Sequence, residues 1–205
     1  QEGEKILVKE ALNERAEATF LISKVREYTS QGYQIHDCTV LYRTHAQSRA
    51  IEEALISQGL PYQIIGGIKF YDRKEIKDIL AYLKLMSNPK DKVSFNRIYN
   101  VPARGIGKST LEKIMATGEK DLFVALKLLI GTSKKQEVLT KFAALLEDIA
   151  TTVGQKKLPD QIKYIVEKID YENYLKSLQT TKGEAYDNFE ERMENIKELL
   201  TVARR

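Results

Sequence analysis

Tyr42 and Arg43 stand side by side near the first fifth of the chain. An aromatic ring can stack flat on a base, and a guanidinium offers a fixed fork of donors that matches phosphate oxygens at any physiological pH. Together they suit a nucleotide, although the same dipeptide also serves as ordinary packing plus a solvated charge. A second stretch with chemistry in it runs Arg104-Gly105-Ile106-Gly107-Lys108-Ser109-Thr110. Its glycines permit positive φ and close backbone approach, and Ser109 or Thr110 can start the helix that follows. Outward amides of such a hairpin can bind a phosphate, with Arg104 and Lys108 supplying charge beside them. This helix-hairpin-helix pattern grips nucleic-acid backbone without reading its sequence. A tight helical turn with glycine chosen for geometry has the same spelling. Metal chemistry has no comparable signal, because His36 and His45 are too isolated to build a site.

These residues need elements to hold them. Cys38 to Tyr42 is a short apolar, β-branched run that reads as a buried strand, and Ala46 to Gln58 shows helical spacing. The Tyr-Arg pair then lies at the carboxyl end of a strand, where open α/β sheets place their ligands. Upstream, Lys5 to Val8 reads as a strand and Asn13 as the N-cap of a helix whose stripe includes Ala16, Phe20 and Val25, ending before Gln31-Gly32. Gly59 stops the helix after Tyr42-Arg43, and Pro61 to Ile65 reads as a third strand closed by Gly66-Gly67. Strands separated by helices imply a parallel sheet, so residues 1–100 are expected to be part of an α/β domain.

Phe70 to Met86 reads as an amphipathic helix capped by Asp72, with Ile76, Ile79, Leu80 and Leu83 inward and Arg73, Lys74, Glu75 and Asp78 on a solvated face. Asn88-Pro89 breaks it. From residue 101 to 205 every segment reads as helix: one from Asp121, one from Ser133, one opened by Leu158-Pro159, and a last one from Phe189 to Ala203. Tyr164, Tyr171, Tyr174 and Tyr186 at helical spacing read as half-buried packing, and Thr180 to Asn188 as a mobile loop. The chain stops at Arg204-Arg205 without a capping signal, which suggests that it was cut from something longer.

Composition narrows the classes. Of the 205 residues, 42% are apolar and 30% charged, the balance of a soluble globular protein. The net charge of +4 is spread evenly, with 15 Lys+Arg against 13 Asp+Glu in residues 1–100 and 18 against 16 beyond. Any nucleic-acid contact must therefore come from local clusters. One cysteine, Cys38, allows no internal disulfide and reads as core in a reducing, cytoplasmic compartment. No signal-peptide pattern and no apolar run long enough for a membrane is present.

Four blocks in order carry a family resemblance: Y-R-T-H-A-Q-S-R with A-I-E-E-A-L; P-Y-Q-I-I-G-G-I-K-F-Y-D-R-K-E-I-K-D-I-L-A-Y-L-K-L; R-I-Y-N-V-P-A-R-G-I-G; and R-M-E-N-I-K-E-L-L. They resemble the consecutive motifs of the UvrD/PcrA/Rep group of superfamily 1 DNA helicases, across nearly the whole chain. The resemblance implies an α/β fold, a partial RecA-like parallel sheet from the second motor domain over residues 1–100, followed by the first part of an all-helical accessory domain over 101–205. It implies that Tyr42 stacks on adenine and Arg43 reaches the γ-phosphate, that Arg97 and Asn100 meet single-stranded DNA, and that the hairpin of Arg104, Gly105, Ile106, Gly107 and Lys108, with Thr110 behind it, approaches duplex. Gln47, Arg49, Arg73, Glu75 and Asp78 match positions of mainly architectural role. His45 replaces the family's usual Asn.

The parent is then expected to be an ATP-dependent helicase moving 3′ to 5′ on single-stranded DNA in repair or replication, using ATP and Mg²⁺. Single-strand/duplex junctions, and repair proteins, are its expected partners. No G-x-x-x-x-G-K-[ST] loop and no acidic pair after an apolar strand occur in the sequence. The fragment alone is therefore expected to bind no cofactor or metal and to hydrolyse no ATP. A non-enzymatic helix-hairpin-helix module that binds DNA or docks a protein is the competing reading, and a helicase-nuclease with the same motor motifs is a second.

Overall fold

The computed structural model describes residues 5–44, 47–181 and 189–204, the side chains of 179–181 excepted. His45, Tyr186 and residues 182–188 of the loop expected from Thr180 to Asn188 lie outside the described residues, while Thr180 and Thr181 are helical rather than loop. The chain forms two compact units, Gln1–Phe70 and Tyr71–Arg205.

The expectation of a partial parallel sheet fails. Among the described residues every regular element is helical, and no strand forms at 5–8, 38–42 or 61–65. Cys38 does take an extended backbone, φ −89 and ψ 125, but one extended residue at the end of a 3-10 turn is not a strand. A strand exists only through a neighbour's hydrogen bonds, and β propensity depends strongly on that context. Here the runs find no ladder. Their side chains are correspondingly open, with Ile6 92%, Leu41 91% and Ile65 88% exposed. Cys38 is half-exposed rather than core.

In the first unit, α1 (Glu14–Ser30) packs against α2 (Ser48–Ser57). Asn13 caps α1 by accepting the Ala16 N–H at 2.9 Å, and the helix stops at Gln31 before Gly32, whose φ of +100 suits glycine. Its buried line is Ala18 and Ile22, facing a short α2 that contributes Ala50. Polar bonds complete this small core. Arg49, fully buried, joins Glu14 of α1 at 2.9 Å to Glu53 of α2 at 3.0 Å. Glu52 accepts from Ser48 Oγ at 2.7 Å, Tyr62 Oη at 3.1 Å and the Phe70 N–H at 3.3 Å, which ties the extended segment back to the helix.

The second unit is built around α3 (Lys74–Ser87), which touches α4 (Lys92–Ile98), α7 (Gln136–Val153), α8 (Leu158–Lys168) and α10 (Phe189–Ala203). The remaining helices are α5 (Lys108–Ala116), α6 (Leu122–Ile130) and α9 (Tyr171–Thr181). Ile76, Ile79, Tyr82 and Leu85 make the buried face of α3 and meet a core that includes Phe95, Phe142, Leu146 and Ile165. Each such side chain contributes roughly 1.5–3 kcal/mol by leaving water. Caps fix the starts: Asp91 accepts from the Val93 and Ser94 amides of α4, and Asp121 from Phe123 and Val124 of α6. The cap of α3 is Arg73, one residue later than Asp72.

The charges expected on the solvated face of α3 are largely inside. Arg73, Glu75 and Asp78 are buried, and only Lys74 is exposed. Asn195 of α10 donates to Glu75 Oε1 at 2.7 Å and accepts from Arg73 Nη1 at 2.6 Å. Asp78 accepts from Tyr171 Oη and Arg97 Nε, both at 2.7 Å. Buried charges persist only when paired in this way. No helix among the described residues is long and apolar enough to cross a membrane.

Candidate functional site

Two separate groups of residues are involved, one in each unit. In the first, the Tyr42-Arg43 turn precedes α2 without a strand behind it. Gln47 fastens it instead: its Oε1 accepts the Arg43 N–H and the Thr44 N–H, each at 3.0 Å. One carbonyl thus holds two successive amides, fixing the backbone from which Arg43 projects. The Arg43 side chain is exposed and engages no carboxylate among the described residues, while the Tyr42 ring is half-buried. A fixed backbone with an open guanidinium is an arrangement able to receive phosphate oxygens.

In the second unit, the hairpin Arg104–Lys108 joins α4 to α5. Asn100 brackets it, its Oδ1 accepting the Arg104 N–H at 2.7 Å and the Ile106 N–H at 3.2 Å. Gly105 takes φ +75, a conformation that an L side chain would strain, and Ile106 plugs into the core at 1% exposure. Gly107 serves as N-cap of α5 with no side-chain cap, and the Thr110 N–H returns to the Gly107 carbonyl at 3.0 Å. Thr110 itself is buried, whereas Gly105, Gly107 and Lys108 are exposed.

Arg104 behaves differently from a free basic side chain. Its Nη1 donates to the Ile98 and Pro102 carbonyls, each at 3.1 Å, and its Nη2 to Tyr82 Oη at 2.6 Å. Its guanidinium also lies 5.0 Å from the centroid of the Phe142 ring. Arg104 therefore holds the base of the hairpin from within. Burial pushes the Tyr82 phenol up to about 12, against the pull of the Arg104 charge. Arg97 sits apart from this bracket, with Nε on Asp78 and Nη2 on the Lys74 carbonyl at 3.2 Å, and its side chain is 34% exposed.

A partner of the hairpin was missed in the sequence. The Lys135 ammonium, from the loop between α6 and α7, bonds to the Gly105 carbonyl. The K-K pair after Gly-Thr-Ser was its only trace, since a contact across thirty residues leaves no local pattern. Among the described residues no group of three or more His, Cys, Asp or Glu is placed to hold a metal ion.

Comparison with known proteins gives a consistent result. The family described as UvrD-like helicase C-terminal domain matches residues 1–205. The chain is 41% identical over 210 residues to the ATP-dependent DNA helicase PcrA of Bacillus subtilis (strain 168), covering 99% of this chain and 28% of that protein. It is 37% identical over 214 residues to the PcrA of Staphylococcus aureus (strain Mu50 / ATCC 700699), covering 98% of this chain and 27% of that protein. Against DNA helicase II of Haemophilus influenzae it is 35% identical over 212 residues, covering all of this chain and 28% of that protein. The chain thus spans little more than a quarter of the length of these relatives.

Proposed function

The chain belongs to the UvrD-like helicase C-terminal domain family, and from that premise we propose that it is the part of an ATP-dependent DNA helicase that brings Tyr42 and Arg43 to the nucleotide. The pinned turn carries this reading. Gln47 fixes the amides of residues 43 and 44 while leaving the guanidinium open. Arg43 then needs only side-chain ordering to place two N–H donors on the γ-phosphate, where negative charge builds as the phosphoryl group transfers. Tyr42 stacks on the base and sets the distance from ring to phosphate.

Among the described residues no group of three or more His, Cys, Asp or Glu is placed to hold a metal ion, and Mg²⁺, bound largely through the nucleotide's phosphates, would be held by other parts of the full-length helicase. The loop that cradles the other phosphates also has no counterpart in this sequence. The isolated chain should therefore not turn over ATP, and activity should belong to the full-length helicase. In that protein the hairpin of Gly105, Ile106, Gly107 and Lys108 would meet duplex backbone, with Asn100 and Arg104 shaping it from behind. The Arg97 edge that Asp78 leaves open would meet the single strand. Movement 3′ to 5′ along single-stranded DNA and work in repair or replication complete the reading.

The test is Arg43→Ala in the full-length helicase. An arginine acting on the transferring phosphoryl group is worth about 10³–10⁵ in kcat. DNA-stimulated ATPase should fall by at least about a thousandfold, with binding to single-stranded DNA retained. Near-normal turnover would sink the assignment.

A further inference from the structure

The bond between Lys135 and Gly105 joins two segments that share an unusual composition. Residues 92–111, which include the hairpin, contain Lys92, Arg97, Arg104 and Lys108 and no carboxylate. Residues 122–136, which include the α6–α7 loop, contain Lys127, Lys134 and Lys135 and again no carboxylate. In a chain that is otherwise almost balanced, their meeting concentrates positive charge.

Part of that charge is cancelled, since Arg97 pairs with Asp78 and Lys127 with Glu147, and the part at the two turns is not. On the flanking helices Lys127 is neutralised by Glu147, and Lys141 by Glu137 at 2.6 Å, so the carboxylate nearest in sequence to Lys135 is already taken. Lys108 and Lys134 are exposed and pair with no carboxylate among the described residues. Lys135 spends one of its three ammonium donors on Gly105 and keeps two. We infer that Lys134 and Lys135 form, with Lys108, a two-element cationic surface that holds the phosphate backbone of duplex DNA.

Duplex is favoured over a single strand because neither 103–108 nor 131–136 contains an aromatic ring. Non-specific single-strand sites depend on stacking bases against such rings. Small residues and ammonium groups instead suit a regular array of phosphates, contacted without base readout. Lys135 has a second task, since its bond to Gly105 fixes the loop against the hairpin. This inference rests on the hairpin reading given above, and the two can fail separately.

The experiment measures duplex affinity of the full-length helicase by fluorescence anisotropy over a series of salt concentrations, for wild type, Lys108→Gln, Lys134→Gln, Lys134→Arg and Lys135→Gln. Lys134→Gln should lower the slope of log K against log salt by about 0.9, the value for one phosphate contact on duplex DNA. Lys134→Arg should restore it, and duplexes of unrelated sequence should respond alike. If Lys108→Gln lowers the slope and Lys134→Gln does not, the inference is overturned while the hairpin reading stands. No change in either variant overturns both. A slope change for Lys134→Gln on single strands only would also overturn it. Because Lys134 makes no bond to the hairpin, its variants do not depend on the fold of that turn, and Lys135→Gln reports the combined loss of contact and positioning.

Discussion

Replacing Tyr171 by Phe removes one oxygen from the centre of the larger unit. Tyr171 is fully buried, and its hydroxyl donates at 2.7 Å to Asp78 Oδ2 on a residue only 1% exposed. The bond goes to a charged acceptor out of reach of water, where such bonds are worth about 1.5–3 kcal/mol. Two features keep the cost within that range. The ring remains, so little packing is lost. Asp78 also keeps Arg97 on its other oxygen, so the carboxylate is not left alone, a situation that costs about 3–5 kcal/mol. The expected loss is about 2 kcal/mol. In urea unfolding followed by circular dichroism the midpoint should fall with the slope unchanged, and the thermal midpoint should drop by about 4–8 °C. A change below about 0.5 kcal/mol, the scatter of surface substitutions, would refute the reasoning. So would additivity with Asp78→Asn, because residues sharing one bond should couple by at least about 0.5 kcal/mol.

Two further outcomes follow from the same packing. Burial, and then the negative charge of Asp78, raise the Tyr171 phenol well above its ordinary value, and burial raises Tyr82 to about 12. Both folded values exceed the unfolded one near 10. Their contribution to stability is therefore intact below pH 10 and is lost as pH rises above it, at up to about 1.4 kcal/mol per pH unit for each phenol. A pH series of urea midpoints from 8 to 12 should show that decline, and Tyr171→Phe should make it shallower; identical slopes would count against it. Arg104→Lys keeps the charge but loses the planar fork that reaches two carbonyls and Tyr82. It should cost about 1–2 kcal/mol in the same assay, and unchanged stability would show that charge alone sufficed.

What was legible in the sequence was local. Asn13, Gly59, Asn88 and Asp121 each mark a helix end, and the helix from Phe189 to Ala203 has the bounds its spacing predicted. A cap is decided within four residues, so these ends are readable, although Asp72 misses the cap of α3 by one residue and Ser133 that of α7, Lys135, by two. The positive φ at Gly105 was readable for the same reason. Non-local features were not readable. The three apolar runs carry strand composition, but pairing is a property of neighbours. Arg73, Glu75 and Asp78 looked like a solvated face because their partners lie 122, 120 and 93 residues away. Tyr171, read as half-buried packing, is fully buried for the same reason, while Tyr164 does sit half-exposed with its hydroxyl on Asp148 at 2.6 Å. The family motifs were legible because they are four ordered blocks, and the resemblance gives Gln47, Arg49, Arg73, Glu75 and Asp78 a mainly architectural role.

The arginines divide by what their forks already hold, and this bears on where phosphate can bind. Arg49 is spent on Glu14 and Glu53, and Arg104 on two carbonyls and a phenol. To reach a ligand either would have to abandon those bonds, each worth about 0.5–3 kcal/mol. Arg97 is intermediate, with one edge on Asp78 and a third of its side chain open. Arg43 and Lys134 have only rotamer freedom to lose, at most about 2 kcal/mol. Charged-group contacts to phosphate can offset that, but not the dismantling of a core. At the turn at Gln47 and the loop at Lys135 one set of polar groups fixes the backbone, and the side chains of Arg43 and Lys134 beside it stay exposed, which is what the proposed phosphate contacts would require.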